Sequence, residues 1–136
     1  MNKSTLLGLM LITTSSIAFA SPNTSNIQIG SGSMDPKGSL SLSLKNLAPD
    51  VQYMVYCNVS FNQFADVDVA GNFPYGACLD DVCSSTNVLK MKKDHYAPGY
   101  DLKIPHVSTT YMQELKFTNL DDQATVHISS CVAKVE

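Results

Sequence analysis

The segment Val51-Gln52-Tyr53-Met54-Val55-Tyr56-Cys57-Asn58-Val59-Ser60-Phe61 alternates without a break. Val51, Tyr53, Val55, Cys57, Val59 and Phe61 fall on one face, and Gln52, Met54, Tyr56, Asn58 and Ser60 fall on the other. A helix turns once every 3.6 residues and would scatter the first set over its surface, whereas a strand keeps it together. Val, Tyr and Phe also suit a pleated surface. The segment is read as a strand with one buried face, and Cys57 lies on that face.

On its N-terminal side, Leu40, Leu42 and Leu44 alternate with Ser39, Ser41 and Ser43, and Asn46-Leu47-Ala48-Pro49-Asp50 supplies turn residues. The end of the chain repeats the design. Phe117-Thr118-Asn119-Leu120 parallels Leu44-Lys45-Asn46-Leu47; a turn at Asp121-Asp122-Gln123 follows, then Ala124, Val126 and Ile128, then Cys131. The step from Leu47 to Cys57 is ten residues, and from Leu120 to Cys131 it is eleven. The extra residue turns Cys131 away from Val126 and Ile128 unless a β-bulge near Ser129-Ser130 restores it to the core face.

Between the two units, Val67 and Val69 alternate with Asp66 and Asp68, Phe73-Pro74-Tyr75-Gly76 reads as a turn, and Val88, Leu89 and Met91 form a further short strand. Leu102 to Val107 is interrupted by Pro105, which places it at a sheet edge. No segment carries a convincing helical period. The pattern describes an all-β fold, a small disulfide-stapled β-sandwich of about seven strands, immunoglobulin-like in the broad sense.

Residues 1–20 read as a cleavable signal peptide. Lys3 precedes an apolar run from Leu6 to Ile12, and Ala18-Phe19-Ala20 is a small-x-small cleavage site, so the mature chain begins at Ser21. The apolar run is too short to span the roughly 30 Å of a bilayer core. Residues 21–38 form a flexible N-terminal arm with a short edge strand around Ile27 and Ile29, and residues 39–136 form the sandwich. No later segment is apolar enough to anchor the chain after cleavage. The mature part keeps eight lysines against twelve acidic residues, a net charge of −4, and has no arginine. That balance argues against nucleic acid as a partner.

Cys57, Cys78, Cys83 and Cys131 all lie in the mature part. In an exported chain an even count reads as disulfides, with three pairings open. Cys78 and Cys83 are close enough to pinch a short loop, which leaves Cys57 for Cys131. The pairing joins either the two sheets or two neighbouring strands of one sheet.

No nucleophile elbow, His-Glu-x-x-His, phosphate loop or Cys-x-x-Cys redox pair is present. No catalytic residue, cofactor or metal is assigned. The acidic pairs Asp66 and Asp68, Asp80 and Asp81, and Asp121 and Asp122 lack the ligand pattern of a calcium loop. The loop Leu79, Asp80, Asp81 and Val82, closed between Cys78 and Cys83, is the candidate binding loop, because closure lowers the entropy lost on meeting a partner. Its Cys-x4-Cys spacing resembles the loop that one family of periplasmic lysozyme inhibitors inserts into the enzyme's cleft. That loop carries a histidine where this one carries Asp80 and Asp81, and the likeness spans these six residues. Tyr96, Tyr100 and Tyr111 are a candidate aromatic surface.

The sequence thus points to a periplasmic or secreted, non-enzymatic binding module. Its partner would be a protein or other macromolecule of the envelope or the exterior. The alternatives are a small hydrolase or metal-binding protein using His95, His106 and His127, and an inhibitor of a basic enzyme acting through the Cys78–Cys83 loop.

Overall fold

The structure, a computed structural model, describes residues 26–63, 65–93 and 99–136. The expected signal peptide lies outside the described residues. Ten strands follow one another, where turn spacing suggests about seven: β1 (Ile27–Met34), β2 (Ser39–Ser43), β3 (Tyr53–Phe61), β4 (Val67–Gly71), β5 (Ala77–Leu79), β6 (Val82–Ser84), β7 (Val88–Met91), β8 (Tyr100–Val107), β9 (Glu114–Asn119) and β10 (Val126–Val135). The surplus lies mainly in the ambiguous middle, where β5 and β6 have three residues each, too few to show a period.

The strands form two antiparallel sheets, ordered β1-β10-β3-β8-β5-β6 and β2-β9-β4-β7. Their pairing is nested. β1 pairs with β10, β2 with β9, β3 with β8, β4 with β7 and β5 with β6. The described strands therefore trace one long hairpin, doubled back at the turn between β5 and β6 and then rolled up. Every connection except that turn passes from one sheet to the other, which is the wiring of a jelly roll.

Rolling the hairpin brings the apolar faces together. Val55 and Val59 of β3, Leu102 and Ile104 of β8 and Ile128 of β10 meet Val69 of β4, Leu89 of β7 and Phe117 of β9, all buried. Each such side chain contributes about 1.5–3 kcal/mol on burial. Phe73 packs at 5.7 Å from Phe117 and lies over Gly71, where an added Cβ would stand 2.1 Å from the ring.

Cys57 bonds to Cys131, and Cys78 to Cys83. The first bridge joins neighbouring strands of the six-stranded sheet rather than the two sheets, since β10 pairs with β3. The expected bulge is present: the register passes from Ser129 opposite Asn58 to Val132 opposite Tyr56, and Ser130 takes φ 53°. Cys131 is thereby returned to the core.

The two strand-turn-strand units lie side by side, β2 along β9 and β3 along β10. Their matching Asn-Leu pairs are nevertheless inverted. Leu47 is buried and Asn46 exposed, whereas Asn119 is buried and Leu120 exposed. Asn119 donates its amide to the carbonyls of Met34 (3.3 Å), Asp35 (3.2 Å) and Ala124 (2.7 Å), and its oxygen accepts the Asp121 N–H at 3.0 Å. It ties β1 to the β9–β10 turn.

Two further expectations change. From Ile27 onward the supposed arm is β1, an eight-residue edge strand that brings Met34 into the core. β8, despite Pro105, is not an edge: it lies between β3 and β5. Pro105 is accommodated because β5 reaches only Leu102 and Lys103, and because β8 bulges against β3 between Ile104 and Val107. The missing N–H therefore leaves no gap in a regular ladder.

Candidate functional site

The candidate loop is the tip of the long hairpin. Asp80 and Asp81 take φ 48° and 69° between the paired residues Leu79 and Val82. Two successive positive φ angles define the tight turn that matches the twist of antiparallel strands. Opposed residues share a face, so Cys78 and Cys83 staple the hairpin on one side. Leu79, Val82, Ala77 and Ser84 occupy the other side.

Both carboxylates bond to β8, although the Asp81 side chain stays exposed. Asp80 Oδ1 accepts the Asp101 N–H at 2.7 Å, and the Asp80 N–H donates to the Asp101 carbonyl at 2.9 Å. Lys103 Nζ donates to Asp81 Oδ1 at 2.7 Å. That hydrogen bond and the charge of Asp81 hold the Lys103 ammonium above its ordinary pKa. The acidic tip sensed in the sequence is thus largely engaged in holding the hairpin against the sheet.

The hairpin's inner face forms one wall of a groove of about 480 Å³, and Val88 and Leu89 of β7 form the other. This volume falls within the range of ligand sites, roughly 300–1,000 Å³. Val82 is 75% exposed at its mouth. The short link from β6 to β7 is fixed by its own hydroxyls: Ser84 Oγ accepts the Thr86 N–H at 3.2 Å, and Thr86 Oγ1 donates to the Val88 carbonyl at 3.2 Å. Both walls are sheet edges. Among the described residues, β6 has no strand neighbour beyond β5, and β7 has none beyond β4. Lys90 and Lys92, both exposed, also line the groove.

Tyr100 and Tyr111 do not share a surface. Tyr96 lies outside the described residues. Tyr100 is buried at the foot of the groove, where its hydroxyl accepts the Lys92 N–H at 2.7 Å and donates to the Lys92 carbonyl at 3.1 Å. Tyr111 is exposed and donates to the carbonyl of His106, about 20 Å along β8 from Tyr100 by strand rise. Its neighbour is Tyr75, 61% exposed, a residue that sequence reading had absorbed into a turn. Partial burial, with Tyr75 and Glu136 nearby, raises the Tyr111 hydroxyl pKa.

His106 and His127 are separated as well. His106 occupies the β8 bulge, its Nδ1 3.0 Å from Glu136 Oε2 and its ring edge-on to Tyr75 at 4.8 Å. His127 stands at the far end of the same sheet with Nδ1 2.7 Å from Ser33 Oγ, and His95 lies outside the described residues. Asp66, Asp68 and Asp121 line a second cleft of about 350 Å³. Asp66 accepts the Lys93 N–H at 3.0 Å, and Asp121 accepts those of Gln123 at 2.8 Å and Ala124 at 2.6 Å. Among the described residues no three His, Cys, Asp or Glu side chains converge as a metal site would need.

No protein-family model, curated protein or solved structure matches the chain. Two disulfides are consistent with an oxidising, exported location. No helix among the described residues is long and apolar enough to cross a membrane.

Proposed function

We propose that the chain is an exported, non-enzymatic binding module, released after Ala20 to the periplasm or the exterior. Its partner is a protein that seats an apolar segment in the groove between the β5–β6 hairpin and β7. The observation that carries this reading is the construction of the groove. Its exposed lining is mainly apolar, one wall is fixed by the Cys78–Cys83 bridge and the other is reached through a hydrogen-bonded link. A site built before binding loses little entropy on binding.

Val82 is the residue on which to test it. Being exposed, it can be changed to Asp at a stability cost within about 0.5 kcal/mol. A photo-crosslinker placed at Val82 should capture one defined envelope or extracellular protein. Val82→Asp should abolish retention of that protein while leaving the melting temperature unchanged. Equal retention by wild type and variant would refute the groove as the contact surface. Intact mass of the exported protein should show a chain beginning at Ser21; retention of residues 1–20 would refute the export reading.

A further inference from the structure

We infer that the segment received by the groove is an extended apolar peptide followed by acidic residues, a specificity opposite in sign to the one the Asp80-Asp81 tip suggests. The inference rests on the groove being the binding site and adds the chemistry of what it binds.

The sign follows from which charges remain available at the rim. Asp80 meets the Asp101 N–H, and Asp81 meets Lys103. A cationic partner approaching the tip would therefore compete with bonds already made. On the opposite wall, Lys90 has a side chain 74% exposed and shares only a 3.4 Å contact with Asp68, and Lys92 is exposed two residues on. Both lysines line the groove, as does Asp80 with its carboxylate on the Asp101 N–H, and both also border the cleft of Asp66, Asp68 and Asp121; alternation sends the two lysines to one side of β7. Their spacing lies within the roughly 8 Å screening length of physiological salt, so one or two carboxylates set there would feel both.

An extended peptide is favoured by the walls themselves. Two strand edges offer backbone donors and acceptors that an added chain can use, while alternate side chains reach the apolar floor. β7 is four residues long, which sets a contact of about 13 Å. Leu79, Val82 and Val88 supply the apolar contact.

The test uses the disulfide-bonded mature protein and three fluorescein-labelled peptides read by anisotropy. Each has the core Val-Thr-Leu-Val-Thr, followed by Asp-Glu, Ser-Ser or Lys-Lys. The acidic-tailed peptide should bind about three- to tenfold tighter than the serine-tailed one at low salt, and the lysine-tailed one should bind weakest, as expected for two exposed ion pairs. Lys90→Glu with Lys92→Glu should invert that order, and Val82→Asp should weaken all three. Equal binding of the three peptides, still lost in Val82→Asp, would overturn the charge inference and leave the groove reading standing. Binding to none of them, or binding indifferent to Val82→Asp, would overturn both. Tighter binding of dodecanoate than of any peptide would assign the groove to a free amphiphile and overturn the peptide inference alone.

Discussion

Cys57 and Cys131 face each other across neighbouring strands with Cα atoms 4.2 Å apart, and Cys131 reaches the bond only because the chain bulges at Ser130. The bridge closes a loop of 74 residues, against five for Cys78–Cys83. Loop-closure entropy gives about 4.5 kcal/mol for the first and about 2 for the second. Replacing Cys57 and Cys131 together by Ala should lower the unfolding free energy by several kcal/mol in urea melts. Replacing Cys78 and Cys83 should cost less and leave the far-ultraviolet spectrum unchanged. A larger loss from the short bridge would mean that the hairpin tip governs stability.

Asn119 is a single buried amide that donates to three carbonyls, those of Met34, Asp35 and Ala124. Asn119→Ala removes the donor and leaves carbonyls of Met34 and Ala124 in the interior, at about 1–3 kcal/mol for each group left unsatisfied. We expect a loss of about 2–4 kcal/mol with an unchanged urea m-value. A loss below about 0.5 kcal/mol would show that water replaces the amide. The matching change at exposed Asn46 should be nearly silent, which makes the pair a direct test of how the two similar units differ.

That inequivalence shows how far the sequence could be read. The alternation of Tyr53 to Phe61, the bulge before Cys131 and the partnership of the four cysteines were legible because each follows from a two-residue period or from parity. Burial of Asn119 was not, because a period marks which side chains share a face and says nothing about which polar group the turn needs inside. Three-residue strands such as β5 and β6 have no period to read, so the hairpin at the centre of the chain's plan looked like a pinched loop. The site was half legible. Residues 79–82 do form one wall of the groove, but the opposite wall, Val88 to Lys92, comes from a different sheet and no local pattern links the two. Tyr75 was hidden by its place in a Phe-Pro-Tyr-Gly turn.

Asp121 should contribute to acid sensitivity. The N–H groups of Ala124 and Gln123 donate to its carboxylate and hold its pKa below the ordinary value. A depressed folded pKa stabilises the protein above the unfolded value near pH 3.9, and that stabilisation is lost as pH falls through the folded value. Asp121→Asn should therefore destabilise most at neutral pH, and its melting curve should converge with that of wild type as the pH drops below about 4. A gap that stays constant from pH 7 to pH 2 would mean that the carboxylate's charge contributes nothing.

The two acids of the hairpin tip should separate in a mutational test, although they are adjacent. Asp80 Oδ1 accepts a backbone N–H of β8 at 2.7 Å, and that bond fastens the tip to the sheet. Asp81 makes an ion pair with Lys103 in which its own side chain is 82% exposed. Hydrogen bonds to charged groups contribute about 1.5–3 kcal/mol, whereas exposed ion pairs contribute about 0–1. Asp80→Ala should therefore cost about 1–2 kcal/mol and speed hydrogen exchange at the Asp101 amide. Asp81→Ala should cost less than about 0.5 kcal/mol, because it loses only a screened pair. Reversing both charges to Lys would loosen the hairpin and set Lys against Lys103, so any loss of binding in that variant would mix instability with recognition. Equal costs for the two alanine variants, or an Asp101 amide whose exchange is unmoved by Asp80→Ala, would show that the Asp80 carboxylate does not fasten the tip.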